Sequence, residues 1–119
     1  MRKHYKRTIA IDFDGVIHIY TQRWLAPEVI SDGPTPGALE AVKAYLEHGF
    51  DVVIFSSRAK SEEGKKAIYD WLREHGFPSL LVTAEKPQAI VYMDDRGLRF
   101  EGEFPSAEAL QGMKPWNKP

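Results

Sequence analysis

The stretch Thr8-Ile9-Ala10-Ile11-Asp12-Phe13-Asp14-Gly15-Val16 constrains this chain more than any other. A continuous apolar run that stops at two carboxylates and a glycine reads as a buried parallel strand. Such a strand delivers its acids to the carboxyl end of an open α/β sheet, where ligand crevices lie. Side chains alternate along a strand, so Asp12 and Asp14 are expected on one face, about 6 to 7 Å apart, with Phe13 on the other. Gly15 lets the backbone turn sharply out of the sheet. Two acids at one strand tip repel unless a cation or a proton intervenes.

The remaining apolar segments repeat the theme. Ala38, Leu39, Val42, Tyr45 and Leu46 share one helical face, ended by His48-Gly49-Phe50; Ala67, Ile68, Trp71 and Leu72 share another, ended by His75-Gly76-Phe77-Pro78. Glu62 and Glu63 suit the first turn of that second helix, and His48 and His75 are explained by helix termini. Strands are expected at Asp51-Val52-Val53-Ile54-Phe55, at Leu80-Leu81-Val82-Thr83 and at Ala89-Ile90-Val91-Tyr92-Met93. Strand and helix in alternation predict βαβ units with right-handed crossovers, hence an α/β, three-layer Rossmann-like fold. Its central sheet is mostly parallel, with helices on both faces. The connection at 84–88 is too short for a crossover helix, so a single turn must serve. Residues 17–37, punctuated by Ser31-Asp32-Gly33-Pro34-Thr35-Pro36-Gly37, read as a flap beside the first strand tip. Arg23 and Trp24 in it are candidates for substrate contact, and His18 reads as a packing or surface histidine. Leu98-Arg99-Phe100 suggests a short strand, Ser106 caps a brief helix through Gln111, and 101–119 forms a tail in which Trp116 packs across the domain.

A chain of 119 residues makes one domain, with no room for a large cap. Net charge is −1, so no polycationic footprint points to nucleic acid, and the basic run Arg2 to Arg7 reads as a solvated start to the first strand. The absence of cysteine excludes thiolate catalysis and disulfides and fits a reducing compartment. No segment has the length of a membrane span and the first residues lack a signal-peptide core, so a cytoplasmic protein is expected, a monomer or small homo-oligomer.

Three predicted strands end in polar groups: Asp12 and Asp14, then Ser56-Ser57-Arg58, then Asp94-Asp95, with Lys86 on the approach to the last. In a parallel sheet these tips lie side by side. Carboxylates with no histidine or cysteine partner suit a hard cation, and room for a substrate phosphate suits Mg²⁺.

Taken in order, Asp12-Phe13-Asp14-Gly15-Val16, Phe55-Ser56-Ser57-Arg58, Lys86-Pro87 and Tyr92-Met93-Asp94-Asp95-Arg96 resemble the four motifs of the haloacid dehalogenase superfamily of aspartate-dependent phosphohydrolases. The Lys-Pro, Asp-Asp-Arg and Ser-x-Arg elements look most like its small capless members and the 3′-phosphatase half of phage-type polynucleotide kinases. The resemblance implies Asp12 as nucleophile, Asp14 as general acid and base, and Ser56 and Lys86 as catalytic stabilisers of the phosphoryl group. It implies phosphate contacts from Phe13, through the amides after Asp12, and from Ser57 and Arg58, while Arg23 and Trp24 of the flap stand as candidate substrate contacts by their position. Mg²⁺ would be held by a carboxylate oxygen of Asp12, the carbonyl of Asp14 and Asp95, with Asp94 orienting Lys86 or a metal-bound water. The expected activity is Mg²⁺-dependent phosphomonoester hydrolysis through an aspartyl-phosphate. Its substrate is a phosphorylated one, with a nucleotide or nucleic-acid end favoured because no cap closes the site and Lys60 joins Arg23, Trp24 and Arg58 at its mouth. The alternative is a catalytically silent module of the same fold that binds a phosphorylated partner. A response-regulator receiver places its adjacent acids first and its lysine after a later strand, the wrong order, and an EF-hand loop lacks its later ligands after Gly15.

Overall fold

The structure, a computed structural model, describes residues 7–21, 25–94, 98–99 and 102–111. The elements run β1 (Thr8–Asp12), α1 (Ala38–Glu47), β2 (Asp51–Phe55), a 3₁₀ turn (Ser57–Lys60), α2 (Glu62–Glu74), β3 (Leu81–Thr83), β4 (Val91–Asp94), β5 (Leu98–Arg99) and α3 (Ala107–Gln111). The strands form one sheet in the order β3-β2-β1-β4-β5, with every pairing parallel. This is the expected α/β, Rossmann-like class. The chain steps outward from β1 through β2 to β3 and then returns to β4 on the far side of β1. Strand order therefore reverses between β1 and β4, the place where open α/β sheets leave a crevice at their carboxyl ends.

Register fixes the two faces. Ile9 and Ile11 of β1 lie level with Val52 and Ile54 of β2 and with Val91 and Met93 of β4, and Val82 of β3 lies level with Ile54. These side chains share one buried core with Val42 and Tyr45 of α1, Ile68, Trp71 and Leu72 of α2, and Leu110 of α3. The layering is uneven. On the opposite face Ala10 and Phe55 pack with Ala89 and Tyr92, under the connection at 84–90. Among the described residues all three helices serve the first face, in place of the expected helices on both, because that connection is too short to hold one.

The helix ends follow from sequence as expected. Ser61 Oγ accepts the Gly64 amide at 3.0 Å to open α2. Both helices close on a left-handed glycine, Gly49 at φ 88° and Gly76 at φ 80°. Phe50 N–H reaches the Tyr45 carbonyl at 3.1 Å and Phe77 N–H that of Leu72 at 2.9 Å, the hydrogen bonds of a Schellman ending. Arg7 adds to the first, donating to the carbonyls of Gly49 at 3.0 Å and His48 at 3.1 Å. Three boundaries differ from expectation. β3 begins at Leu81 and β4 at Val91, with Leu80, Ala89 and Ile90 buried ahead of the paired residues although Ile90 N–H already reaches the Thr8 carbonyl at 3.0 Å, and the 3₁₀ turn intervenes before α2. Ser106 accepts the Ala109 amide at 3.1 Å and caps α3 as expected, while Phe100 and the tail from 112, with Trp116, lie outside the described residues.

His48 joins α1 to α3. Its Nδ1 faces the Ala44 carbonyl at 2.9 Å and its Nε2 faces Glu108 at 3.0 Å; both partners accept, so the ring satisfies both only as imidazolium. The Ala44 carbonyl, more than Glu108, holds its pKa above the ordinary value against desolvation. A raised folded pKa gives stability that is present below the unfolded value, about 6.5, and fades as pH rises through the folded one. The stability difference between wild type and His48→Gln should be larger at pH 5.5 than at pH 9, measured by thermal melts.

Gly64 is required by packing. A Cβ there would meet the Arg58 carbonyl oxygen at 2.0 Å and Pro27 Cβ at 2.9 Å. Helix propensity favours Gly64→Ala by about 1 kcal/mol, but the clash is with backbone and outweighs it. The variant should lose roughly 2 kcal/mol or more in urea unfolding.

Candidate functional site

The polar strand tips converge at the reversal of strand order. Asp12 ends β1 level with Phe55 of β2, and Asp94 ends β4 one step beyond the Ile11–Met93 pair. Alternation puts both carboxylates on the face away from the helices. Lys86, from the connection covering that face, bonds Asp94 at 2.6 Å and lies over the rings of Phe55 and Tyr92 at 5.5 and 5.3 Å. Tyr92 OH donates to the Pro87 carbonyl at 2.6 Å and holds the connection in place. Asp94 is buried and Lys86 is partly exposed, so the ammonium is anchored at the edge of the site.

Asp14 stands differently from expectation. β1 ends at Asp12, and residues 13–17 form a turn in which the Phe13 carbonyl receives the amides of Val16, Ile17 and His18 at 3.3, 3.0 and 2.9 Å. Gly15, at φ 87°, makes this possible. Strand alternation therefore does not set the direction of Asp14. Its Oδ2 accepts from Arg58 Nε at 2.8 Å and its Oδ1 from His18 Nδ1 at 2.9 Å. Burial alone pushes the Asp14 carboxyl up, but the His18 and Arg58 hydrogen bonds and the Arg58 charge together carry it below its ordinary value.

Arg58 and His18 are each 1% exposed. Arg58 Nη1 donates to the carbonyls of Pro27 and Val29, both at 2.8 Å. His18 Nε2 accepts the Asp32 amide at 3.1 Å, which leaves the proton on Nδ1 and fixes the neutral tautomer. The imidazole stacks on Phe13, centroids 5.2 Å apart, and takes the edge contact of Trp71 at 5.7 Å. Trp71 Nε1 donates to the Asp32 carbonyl at 3.0 Å.

Several expected substrate contacts are corrected by this geometry. Phe13 is fully buried beside Trp71, and its amide donates to the Phe55 carbonyl at 3.1 Å, so neither reaches a phosphate. Arg58 is no phosphate clamp at the mouth; its guanidinium is spent on Asp14 and the flap. Ser56 is buried and its Oγ accepts the Arg58 amide at 3.1 Å, capping the 3₁₀ turn while its hydroxyl proton remains to donate. Ser57 and Lys60 are exposed beside it. Arg23, Trp24 and Asp95 lie outside the described residues. His18 was missed as a site residue, although its spacing of four from Asp14, with Gly15 between, is a signal a tight turn can use.

Asp12 and Asp94 bring carboxylate oxygens to adjacent strand tips, the donor type a hard cation takes, and His18 has both nitrogens engaged. Among the described residues no three acids or histidines converge as a metal cage. Nor is any described helix long and apolar enough to cross a membrane.

No family model matches the chain, and no curated protein matches it. Among solved structures it is similar to a conserved protein coded by a locus of Bacteroides thetaiotaomicron. The two share 24% identity over 88% of this chain and 86% of that one, with a TM-score of 0.58. That likeness shows the α/β fold.

A lowered folded pKa at Asp14 gives stability that is present above the unfolded value and lost as pH falls through the folded one. Wild type should therefore exceed Asp14→Asn in stability at pH 7, with the gap closing as pH falls below about 4. Urea midpoints at pH 7, 4 and 3 check this.

Proposed function

We propose that this protein is a Mg²⁺-dependent phosphomonoester hydrolase that works through an aspartyl-phosphate on Asp12. The observation that carries the reading is the placement of Asp12 at the end of the central strand, at the strand-order reversal and on the sheet face that also carries the Lys86–Asp94 pair at the tip of β4. The likeness of the four motifs to the haloacid dehalogenase superfamily supports it.

An Asp12 oxygen attacks phosphorus as the ester P–O bond breaks, and the leaving oxygen takes a proton from Asp14 when Asp14 carries one. Water then attacks the phosphoryl group, gives its proton to the Asp14 carboxylate and releases Asp12. Held ionised in the resting site, Asp14 is set for this second step; an aryl leaving group departs in the first without full protonation. Lys86 and the Ser56 hydroxyl offset charge on the phosphoryl oxygens. Asp12, the Asp14 carbonyl and the acids at the tip of β4, Asp94 and Asp95, would hold Mg²⁺, which supplies Lewis-acid stabilisation of the same charge. The substrate we favour is a phosphate on a large carrier, a nucleotide or polynucleotide end. Support for it comes from the exposed Lys60 at the end of the 3₁₀ turn and from the motif likeness. Zero cysteines fit a cytoplasmic setting.

The test is turnover of p-nitrophenyl phosphate with Mg²⁺. Chelation should abolish it, and Asp12→Asn should reduce it at least about 10³-fold, as loss of a nucleophile does, while the melting temperature stays within about 3 °C of wild type. No turnover by wild type with Mg²⁺ or Mn²⁺ overturns the reading in favour of a silent phosphate-binding module.

A further inference from the structure

Every polar end of Arg58 and His18 described above leads to one of two places, the Asp14 carboxylate or the flap backbone. Arg58 bridges Asp14 Oδ2 and the carbonyls of Pro27 and Val29; His18 bridges Asp14 Oδ1 and the Asp32 amide. The two arms grip different carboxylate oxygens from different elements, the 3₁₀ turn after β2 and the start of the flap. We propose that Arg58 and His18 are positioning residues for Asp14. They hold its carboxylate in one orientation, and the flap sets that orientation by holding their far ends. The assignment of Asp14 as acid and base rests on the proposed function; the mechanical coupling does not.

Three observations favour coupling over simple core filling. A buried guanidinium could be satisfied by carbonyls alone, yet Arg58 divides its donors between carboxylate and flap. The neutral tautomer of His18 is the one form that donates to Asp14 while accepting from Asp32. The Asp32 peptide is held at both its N–H and its C=O, by His18 and by Trp71 Nε1, so the flap end of the His18 arm is itself fixed. Displacing the flap therefore removes hydrogen bonds from the side chains that aim Asp14, and displacing Asp14 removes them from the side chains that hold the flap.

The experiment is residue-resolved amide hydrogen exchange on the full chain, paired with kinetics. Ile19 N–H bonds the Gly33 carbonyl at 2.9 Å and Thr35 N–H that of Ile17 at 2.8 Å, so these two amides report the flap. Asp14→Asn should speed their exchange tenfold or more relative to the amides of Ile11 and Ile54, whereas Asp12→Asn should leave the ratio unchanged. Equal exchange in wild type and Asp14→Asn overturns the coupling, whether or not the protein hydrolyses phosphate.

In the kinetic arm, His18→Asn keeps a donor at the Nδ1 position and His18→Gln keeps an acceptor at the Nε2 position. Positioning predicts that His18→Gln loses kcat tenfold or more at nearly unchanged KM and that His18→Asn, which keeps the Asp14 contact but not the flap contact, recovers part of it. Arg58→Lys, which lacks the fork needed to serve Asp14 and the flap together, should fall as His18→Gln does. Equal kcat in His18→Gln and His18→Asn, or a loss that falls on KM alone, overturns positioning. Absence of turnover in wild type removes the phosphatase reading and with it the kinetic role, and leaves the exchange result to decide the coupling.

Discussion

The pairing of Asp14 with Arg58 is the contact on which the site end of this molecule depends. Taking a carboxylate and a guanidinium out of water costs several kcal/mol per ion, and attraction offsets that only where the remaining donors and acceptors are satisfied. Here they are: His18 takes the second carboxylate oxygen, and flap carbonyls take further guanidinium protons. The ion pair thus requires the flap to fold back over it, and the flap, poor in apolar periodicity, has that pair as its chief polar anchor. Gly64 completes the arrangement by letting α2 come against the Arg58 backbone and Pro27. Losing Arg58 would strand a carboxylate in a half-buried turn, a defect of roughly 3–5 kcal/mol.

The second face of the sheet shows how topology exposes the chemistry. Right-handed crossovers place α1 and α2 on one face, and the return from β3 to β4 must cross the other. A full helix there would bury the β4 tip. The short connection instead lays Lys86 across Phe55 and Tyr92, with its stem on aromatic faces and its charge on Asp94. One segment therefore roofs the apolar patch of Ala10, Phe55 and Ala89 and delivers a cation to the strand tips.

What the sequence made legible was what local rules govern. Apolar runs located β2 to the residue and the start of β1, periodicity located α1 and α2, and the His-Gly-Phe endings named both helix caps, because each depends on neighbours within five positions. The convergence of Asp12, Ser56, Lys86 and Asp94 was also legible, since parallel order implies adjacent tips. The fate of Arg58 was not. Its partner Asp14 is 44 residues away and its flap acceptors about 30, all of them backbone or turn groups whose orientation no periodicity encodes. A Ser-x-Arg loop looks the same whether its arginine faces solvent or turns inward. His18 escaped for a related reason: spacing of four suggests a helix face, whereas here a glycine turn brings the two side chains together.

The acids at the strand tips can now be weighed differently from a reading of the sequence as crowded like charges. Asp12, Asp14 and Asp94 are interleaved with cations: Arg58 lies against Asp14 at 2.8 Å and Lys86 against Asp94 at 2.6 Å. At such distances opposite charges attract by roughly 6 kcal/mol at an effective dielectric near 20 before the cost of desolvation, and by less at the solvent-exposed Lys86. The cluster is therefore closer to electrostatic balance than its composition suggests, and removing one acid does not simply relieve strain. Removing Asp14 would leave the buried Arg58 charge without that partner, whereas the partly exposed Lys86 is screened by water when Asp94 is removed. Asp12 ends β1 between the tips of β2 and β4. The ammonium of Lys86, partly exposed beside the tip of β4, leaves the carboxyl edge of the sheet with a cation that solutes can reach.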